Sequence, residues 1–248
     1  MQTQAEVSST SDIALGRARE GERSRLWIVA RSQTKGRGRH GRVFLSPPGN
    51  LYASLFLNEG CRASHAPELG FVAGLALFDA AAALTGLAHP RLSLKWPNDL
   101  LVDGKKCAGV LLEGHAVHDG VFALIIGIGV NVAVLPPGLP NTAMLKDVAP
   151  DVTVEALFLH LSDSFARRFS DWTQAPRWSQ AHFAAWAERA HGIGSQVRVK
   201  MPTAEVEGRF RGLDRGRLLL DTSEGLVKLD AGDLYVLDQS PASQGQVA

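Results

Sequence analysis

Cysteine is nearly missing. Two occur in 248 residues, Cys61 and Cys107, far apart and in no C-x-x-C spacing. That excludes a disulfide scaffold and a structural zinc site, and it suits a reducing compartment. An excess of one charge is missing too: 26 Lys and Arg stand against 25 Asp and Glu, a formal +1. No global field then draws the chain to nucleic acid or to a membrane, and any basic site must be local. The N-terminal stretch MQTQAEVSSTSDIALGRARE contains no apolar run of signal-peptide length. Elsewhere Gly or polar residues interrupt the apolar runs short of the ~20 residues needed to span a bilayer. No internal repeat is visible. These absences predict a cytoplasmic chain with no membrane partner. What remains is ordinary globular composition, 45% hydrophobic and 21% charged, at a length that allows one large domain or two.

Residues 26–31 (LWIVAR) read as a buried strand, followed by a polar Gly/Arg loop. Pro47-Pro48-Gly49-Asn50 is turn chemistry, and a second strand is expected over 51–57. Residues 67–86 read as a helix, with Pro67 and Glu68 in its first turn and Gly86 at its end. From 92 to 134 the pattern is strand, turn, strand. Its turns fall at Pro97-Asn98-Asp99, at Asp103-Gly104, and near His118-Asp119-Gly120. Helices are expected over 153–172, with Leu157, Leu161, Phe165 and Phe169 on one face, and over roughly 177–190. After Gly194 come short alternating strands parted by turns at Asp214-Arg215-Gly216 and Ser223-Glu224-Gly225. That module is too small for comfortable independence and is expected to pack on the rest. The expected organisation is α+β: a mixed-sheet unit over 1–192, a small β module over 193–238, and a disordered tail over 239–248.

Four segments carry candidate chemistry. Gly36-Arg37-Gly38-Arg39-His40-Gly41-Arg42 formally matches G-x-G-x-x-G, but Val43-Phe44-Leu45-Ser46-Pro47 cannot open the helix that a dinucleotide fold requires. No G-x-x-x-x-G-K-[ST] occurs either. What is left is a pliant backbone with three arginines, whose planar forks suit phosphate or carboxylate. The bland reading is a solvated basic loop. Lys95-Trp96-Pro97-Asn98-Asp99-Leu100 sets a cation, an aromatic and a carboxylate across one turn, which a surface salt bridge would also explain. Lys106 opens an apolar strand, where a lysine is usually an edge charge. Gly127-Ile128-Gly129-Val130-Asn131 ends another such strand with two small residues on one face, read as a bulge or as a flat surface for a ligand.

In this order and spacing the segments resemble the biotin–protein ligase family, whose motifs are G-R-G-R-x-G-R, K-W-P-N-D, K-x-A-G and G-x-G-[IV]-N. Here they stand as GRGRHGR, KWPNDL, KCAG and GIGVN, with Ser9-Thr10-Ser11 matching an upstream S-T-N/S element and Gln33 preceding the loop. Ser11 and His40 depart from the commoner Asn and Arg. The likeness spans roughly residues 6–237. It implies the class II synthetase-like biotin–lipoate ligase fold with an SH3-like C-terminal module. It also implies an enzyme that makes biotinyl-AMP from biotin and ATP with Mg2+, then biotinylates one lysine of a biotin carboxyl carrier protein.

The resemblance implies biotin contacts from Ser9, Thr10, Ser11, Gln33, Arg37, Gly38, Arg39, Lys106, Gly127 and Gly129. It implies ATP contacts from Arg37, Arg39, Arg42, Asn98, Lys106 and Asn131, with Asn131 helping to position Mg2+. Lys106, Arg39 and Asp99 are the catalytic candidates, Asp99 to orient or deprotonate the incoming amine. With the ligand-binding element beginning near Ser9, no winged helix and no DNA partner are expected, and the protomer is a monomer or homodimer. Two rivals remain: a lipoate or octanoate ligase or transferase, and an RNA-binding module using the arginine loop. Carboxylates at Glu205, Glu207, Asp214, Asp221, Glu224, Asp230 and Asp233 disfavour the RNA-binding module.

Overall fold

The computed structural model describes residues 1–22, 24–58, 63–117, 121–174 and 180–237. Cys61, the turn near residue 119, the start of the 177–190 helix and the 239–248 tail lie outside the described residues.

A seven-stranded mixed sheet runs in the order β1-β2-β3-β7-β6-β5-β4. Its strands are β1 (Gln2–Val7), β2 (Leu26–Gln33), β3 (Leu51–Leu57), β4 (Leu92–Lys95), β5 (Asp99–Val102), β6 (Lys105–Ala116) and β7 (Phe122–Val130). Only β1 and β2 pair in parallel; the other neighbours are antiparallel. Asp103 and Gly104, both at positive φ, make the β5–β6 hairpin turn that a D-G pair favours.

Side-chain alternation along β7 sorts its residues onto two faces. Leu124, Ile126, Ile128 and Val130 enter the main core beneath helices α2 (Ala66–Thr85) and α3 (Val154–Gln174). Ala123 and Ile125 face the other way, beneath α1 (Thr10–Arg19), where they pack with Ala14, Ala18, Ile28 and Phe56. The odd-numbered row continues beyond α1 as Gly127 and Gly129, so the covered face runs out into open floor. Strand β3 is buried along its whole length because helices cover both its faces.

Helix α3 presents Leu157, Leu161, Phe165 and Phe169 to the core, as its period predicts. Arg168 Nε pairs with Asp79 Oδ2 at 2.6 Å to tie it to α2. By length and composition α2 is apolar enough to cross a membrane, contrary to the expectation from sequence; 67% of its most apolar window is buried within the fold, as in a core helix. Helix α4 (Gln180–Ala187) adds Phe183 and Trp186 to the same core.

The second sheet is antiparallel, ordered β11-β10-β9-β8-β12. It comprises β8 (Gln196–Lys200), β9 (Glu205–Asp214), β10 (Arg217–Thr222), β11 (Gly225–Leu229) and β12 (Asp233–Val236). Its inward Val197, Val199, Phe210, Leu218, Leu220 and Leu234 join the main core. The buried Trp96 donates from Nε1 to Gly216 O at 3.1 Å, linking the two sheets.

Candidate active site

The floor of the site is glycine. Gly109 and Gly129 pair across β6 and β7, with Gly127 alongside. A Cβ on Gly129 would lie 2.5 Å from the Phe44 ring, and one on Gly127 would lie 3.1 Å from Ser11 Oγ. Side chains are therefore excluded from the floor by what already rests on it. The cavity above it has a volume of about 480 Å³.

At one end the α1 N-terminus holds a chain of hydroxyls. Thr10 donates from N and from Oγ1 to Gln33 Oε1, at 2.9 and 3.1 Å. Thr10 Oγ1 lies 2.8 Å from Ser54 Oγ, and Ser54 Oγ lies 3.1 Å from Ser11 Oγ. A hydroxyl has one hydrogen to give. Because Thr10 gives its hydrogen to Gln33, Ser54 donates to Thr10 and Ser11 to Ser54. Gln33 Nε2 continues the series to Ser46 Oγ at 3.0 Å, and Ser46 donates to Phe44 O at 2.9 Å. Ser9, Thr10, Ser11 and Ser54 are all buried.

The Gly/Arg loop arches over this floor. Gly38 N donates to Arg42 O at 2.8 Å and Phe44 N to Gly36 O at 2.9 Å, so its two limbs hold each other. Arg37 forks onto Asp12 at 3.0 and 2.6 Å. That hydrogen bond is the main reason its pKa is raised. On the far side, Arg39 Nη1 donates to Asn98 Oδ1 at 3.3 Å and lies 3.6 Å from Asp233 Oδ1. Arg42 Nη2 donates to Asp233 Oδ2 at 2.8 Å. Burial pushes the Asp233 carboxyl up, but the hydrogen bond and charge of Arg42, with Arg39 behind, outweigh it and leave the pKa below the usual value.

Cations and a carboxylate gather at the other end. Lys106 Nζ sits 2.7 Å from Asp99 Oδ1, and the pair lies over Gly109. Asn98 fixes the turn before Asp99: its Nδ2 donates to Val110 O at 2.6 Å and its O accepts from Val110 N at 2.9 Å. Lys95 Nζ stands 5.1 Å from the Tyr235 ring centroid. Burial lowers the Lys95 pKa, the Asp99 charge opposes that, and Lys106 adds to it. Asn131 is held by donation from its N to Cys107 O and from its Nδ2 to Ala143 O, leaving Oδ1 as an acceptor. Cys107 is buried, and its thiol is pushed up to about 12 by that burial.

Every site residue expected from the sequence lines this one cavity. Both sheets, α1 and the loop contribute to its walls. A family described as the Biotin/lipoate A/B protein ligase family matches residues 5–131, and the Biotin protein ligase C terminal domain matches residues 192–237. A biotin–[acetyl-CoA-carboxylase] ligase of Paracoccus denitrificans is 37% identical over 93% of this chain and 98% of its own length.

The chain belongs to the biotin protein ligase family.

A second ligase of that name, from Mycobacterium tuberculosis, is 34% identical over 94% of this chain and 87% of its own. Among solved structures, the Aquifex aeolicus biotin protein ligase in complex with biotin and ATP superposes with a TM-score of 0.80 at 28% identity, covering 95% of this chain and 97% of that one.

Several residues of the ligase's site escaped the sequence reading. Ser54 is hidden in an apolar strand, and only its place opposite Thr10 reveals it. Phe44 lies in a segment whose sequence says only that it cannot open a helix, yet it covers Gly129. Asn50 ends the turn that its sequence predicts, and its Oδ1 also accepts from the N–H groups of Val132, Ala133 and Val134 at 2.9, 3.1 and 3.1 Å, shaping the segment after Asn131. Asp233 and Tyr235 come from a module with no motif of its own. Lys95 belongs to the K-W-P-N-D segment, and what marks it is a half-buried ammonium in the cavity wall.

Proposed function

We propose that the ligase condenses biotin with ATP to biotinyl-5′-AMP and then transfers biotin to a lysine of a biotin carboxyl carrier protein. The observation that carries this reading is one cavity with two unlike ends: an ordered hydroxyl–amide chain at the α1 N-terminus, and the Lys106–Asp99 pair beside Arg39 and Lys95 at the other, with a glycine floor between. Biotin's ureido ring has donors and an acceptor, and the Ser9–Thr10–Ser11–Gln33 end offers both kinds of partner. Its apolar body fits between Gly127, Gly129 and Phe44, with Gly38 in the roof. Its carboxylate then reaches the cations. The Aquifex aeolicus ligase, solved with biotin and ATP, supports placing both substrates here.

In the first step a biotin carboxylate oxygen bonds to the α-phosphorus and the bond to pyrophosphate breaks. The approach of two anions is unfavourable unless cations are fixed in advance, and Lys106 and Arg39 supply that positive charge. Arg42 and Asn98 flank the nucleotide. Among the described residues no cluster of three His, Cys, Asp or Glu could hold a metal ion. Mg2+ would bind through substrate phosphates and few protein oxygens. Asn131 Oδ1 would be its protein ligand, and the bound ion would supply neutralisation of phosphate charge.

In the second step the carrier lysine nitrogen attacks the acyl carbon and AMP departs. A free lysine with a pKa of ~10.4 is almost wholly protonated near neutrality. Asp99 orients the incoming amine and takes its proton. Residues 1–192 make the catalytic unit, and 193–238 a C-terminal domain that closes the nucleotide side through Asp233 and Tyr235. The test is exchange of labelled pyrophosphate into ATP. It should depend on biotin and not be replaced by lipoate, and subsequent addition of a purified biotin carrier domain should yield the biotinylated lysine. Lipoate-driven exchange, or none with either acid, rejects the reading.

A further inference from the structure

The geometry points to Asp12 as a positioning residue for ligation. It locks the Arg37 guanidinium as a strut between the arched loop and α1, so Arg37 holds the roof in place and leaves the substrate anions to Arg39 and Lys106. This rests on the proposed reading of the cavity as the biotin and ATP site.

Three observations carry it. Both terminal nitrogens of Arg37 are taken by one carboxylate, Nη1 by Asp12 Oδ2 at 3.0 Å and Nη2 by Asp12 Oδ1 at 2.6 Å. A second carboxylate, Glu113 Oε1 on β6, stands 3.6 Å from Nη2. One cation facing two carboxylates has its charge more than cancelled, so a third anion gains little there. Arg39 lies differently: its bonds run to an amide oxygen and a backbone carbonyl, with Asp233 at 3.6 Å.

The loop's own construction makes the strut consequential. Arg37 pairs with Val43 across the arch, between the Gly38–Arg42 and Phe44–Gly36 hydrogen bonds. Anchoring Arg37 therefore anchors the limb that carries Phe44 over Gly129. Asp12 sits in the first turn of α1, two residues beyond Thr10, where the helix N-terminus favours a carboxylate. The same helix turn thus presents the hydroxyl chain and grips the roof above it.

Charge exchange separates a strut from a substrate ligand. Asp12→Asn, Asp12→Arg, Arg37→Asp and the Asp12→Arg/Arg37→Asp double variant are compared in a Glu113→Gln background, so that the relocated carboxylate meets no like charge, by biotin-dependent pyrophosphate exchange and by protease cleavage within residues 36–44. Each single change should raise the KM for biotin about fivefold or more, with kcat within about threefold, and should speed cleavage of the empty loop. The double variant should recover most of the lost KM and protection. A double variant no better than Arg37→Asp alone would show Arg37 acting on substrate and overturn the strut, as would unchanged KM in the singles. Asp12→Asn adds no bulk and no repulsion, so it decides the matter should a reversal fail to fold. Wild-type protein lacking biotin-dependent exchange would instead reject the reading of the cavity, an outcome distinct from these.

Discussion

Gly129 and Asp99 are single atoms of difference away from altered function, for opposite reasons. At Gly129 a methyl would stand 2.5 Å from the Phe44 ring. Overpacking of this kind costs ~1–3 kcal/mol, and Phe44 can relieve it only by leaving the floor where biotin is to lie. Gly129→Ala should therefore weaken biotin binding by about tenfold or more, measured by calorimetry. Gly16 in α1 has nothing within 4 Å of a built Cβ. Gly16→Ala should leave binding intact and stabilise the fold by ~0.5–1 kcal/mol, since alanine is the better helix former. Asp99→Asn removes both the proposed base and the counter-ion of Lys106, 2.7 Å away. Loss of the counter-ion bears on both chemical steps, whereas loss of the base bears on transfer alone, where positioned bases contribute ~10²–10⁴-fold. Single-turnover assays should show transfer slowed more than adenylate formation; equal slowing would remove Asp99 from its role as base.

Elements differ in how openly their sequences announce them. The β5–β6 hairpin, α2, α3 and the central strands carried turn chemistry or clean periodicity, and they fall within a residue or two of expectation. Strand β1 and helix α1 carried neither. QTQAEV is polar on both faces because β1 is an exposed edge, and α1 buries mainly Ala14 and Ala18, too small to make a visible stripe. The Ser9-Thr10-Ser11 motif implies a ligand contact through the family resemblance, without implying that a helix N-terminus presents it. The glycines and arginines of the arch predict a pliant backbone, while its partners, Asp12, Gly232 and Asp233, lie at distances in sequence that no local pattern reports. Its outer tether has a pH signature. The Asp233 pKa is depressed, so its contribution to stability is present above the unfolded carboxylate value of ~3.9. That contribution is lost as pH falls through the lower folded value. Wild type should melt above Asp233→Asn at neutral pH, with the gap beginning to close below pH ~3.9; a gap independent of pH would mean that the ion pairs to Arg42 and Arg39 do not support the fold.

Across the whole molecule, two sheets share one interior. The strands between Gln196 and Val236 send Val197, Phe210, Leu218 and Leu234 into the cluster that holds Phe71, Trp96, Phe183 and Trp186. A β module this small buries too little surface to stand alone, so its stability is borrowed from α2, α4 and β4. The β9–β10 turn shows how: Arg215 and Gly216 both take positive φ, Gly216 O accepts from Trp96 Nε1, and a Cβ on Gly216 would meet the Phe71 ring at 2.9 Å. Unfolding should accordingly give one calorimetric transition, with calorimetric and van't Hoff enthalpies equal. Gly216→Ala combines a left-handed backbone penalty of ~1–2 kcal/mol with a clash against Phe71. At ~2–4 °C per kcal/mol for a chain of this size, it should lower that single midpoint by several degrees. Two resolved transitions, with only one shifted by the substitution, would show instead that the C-terminal strands fold by themselves and that the Trp96–Gly216 contact merely docks them.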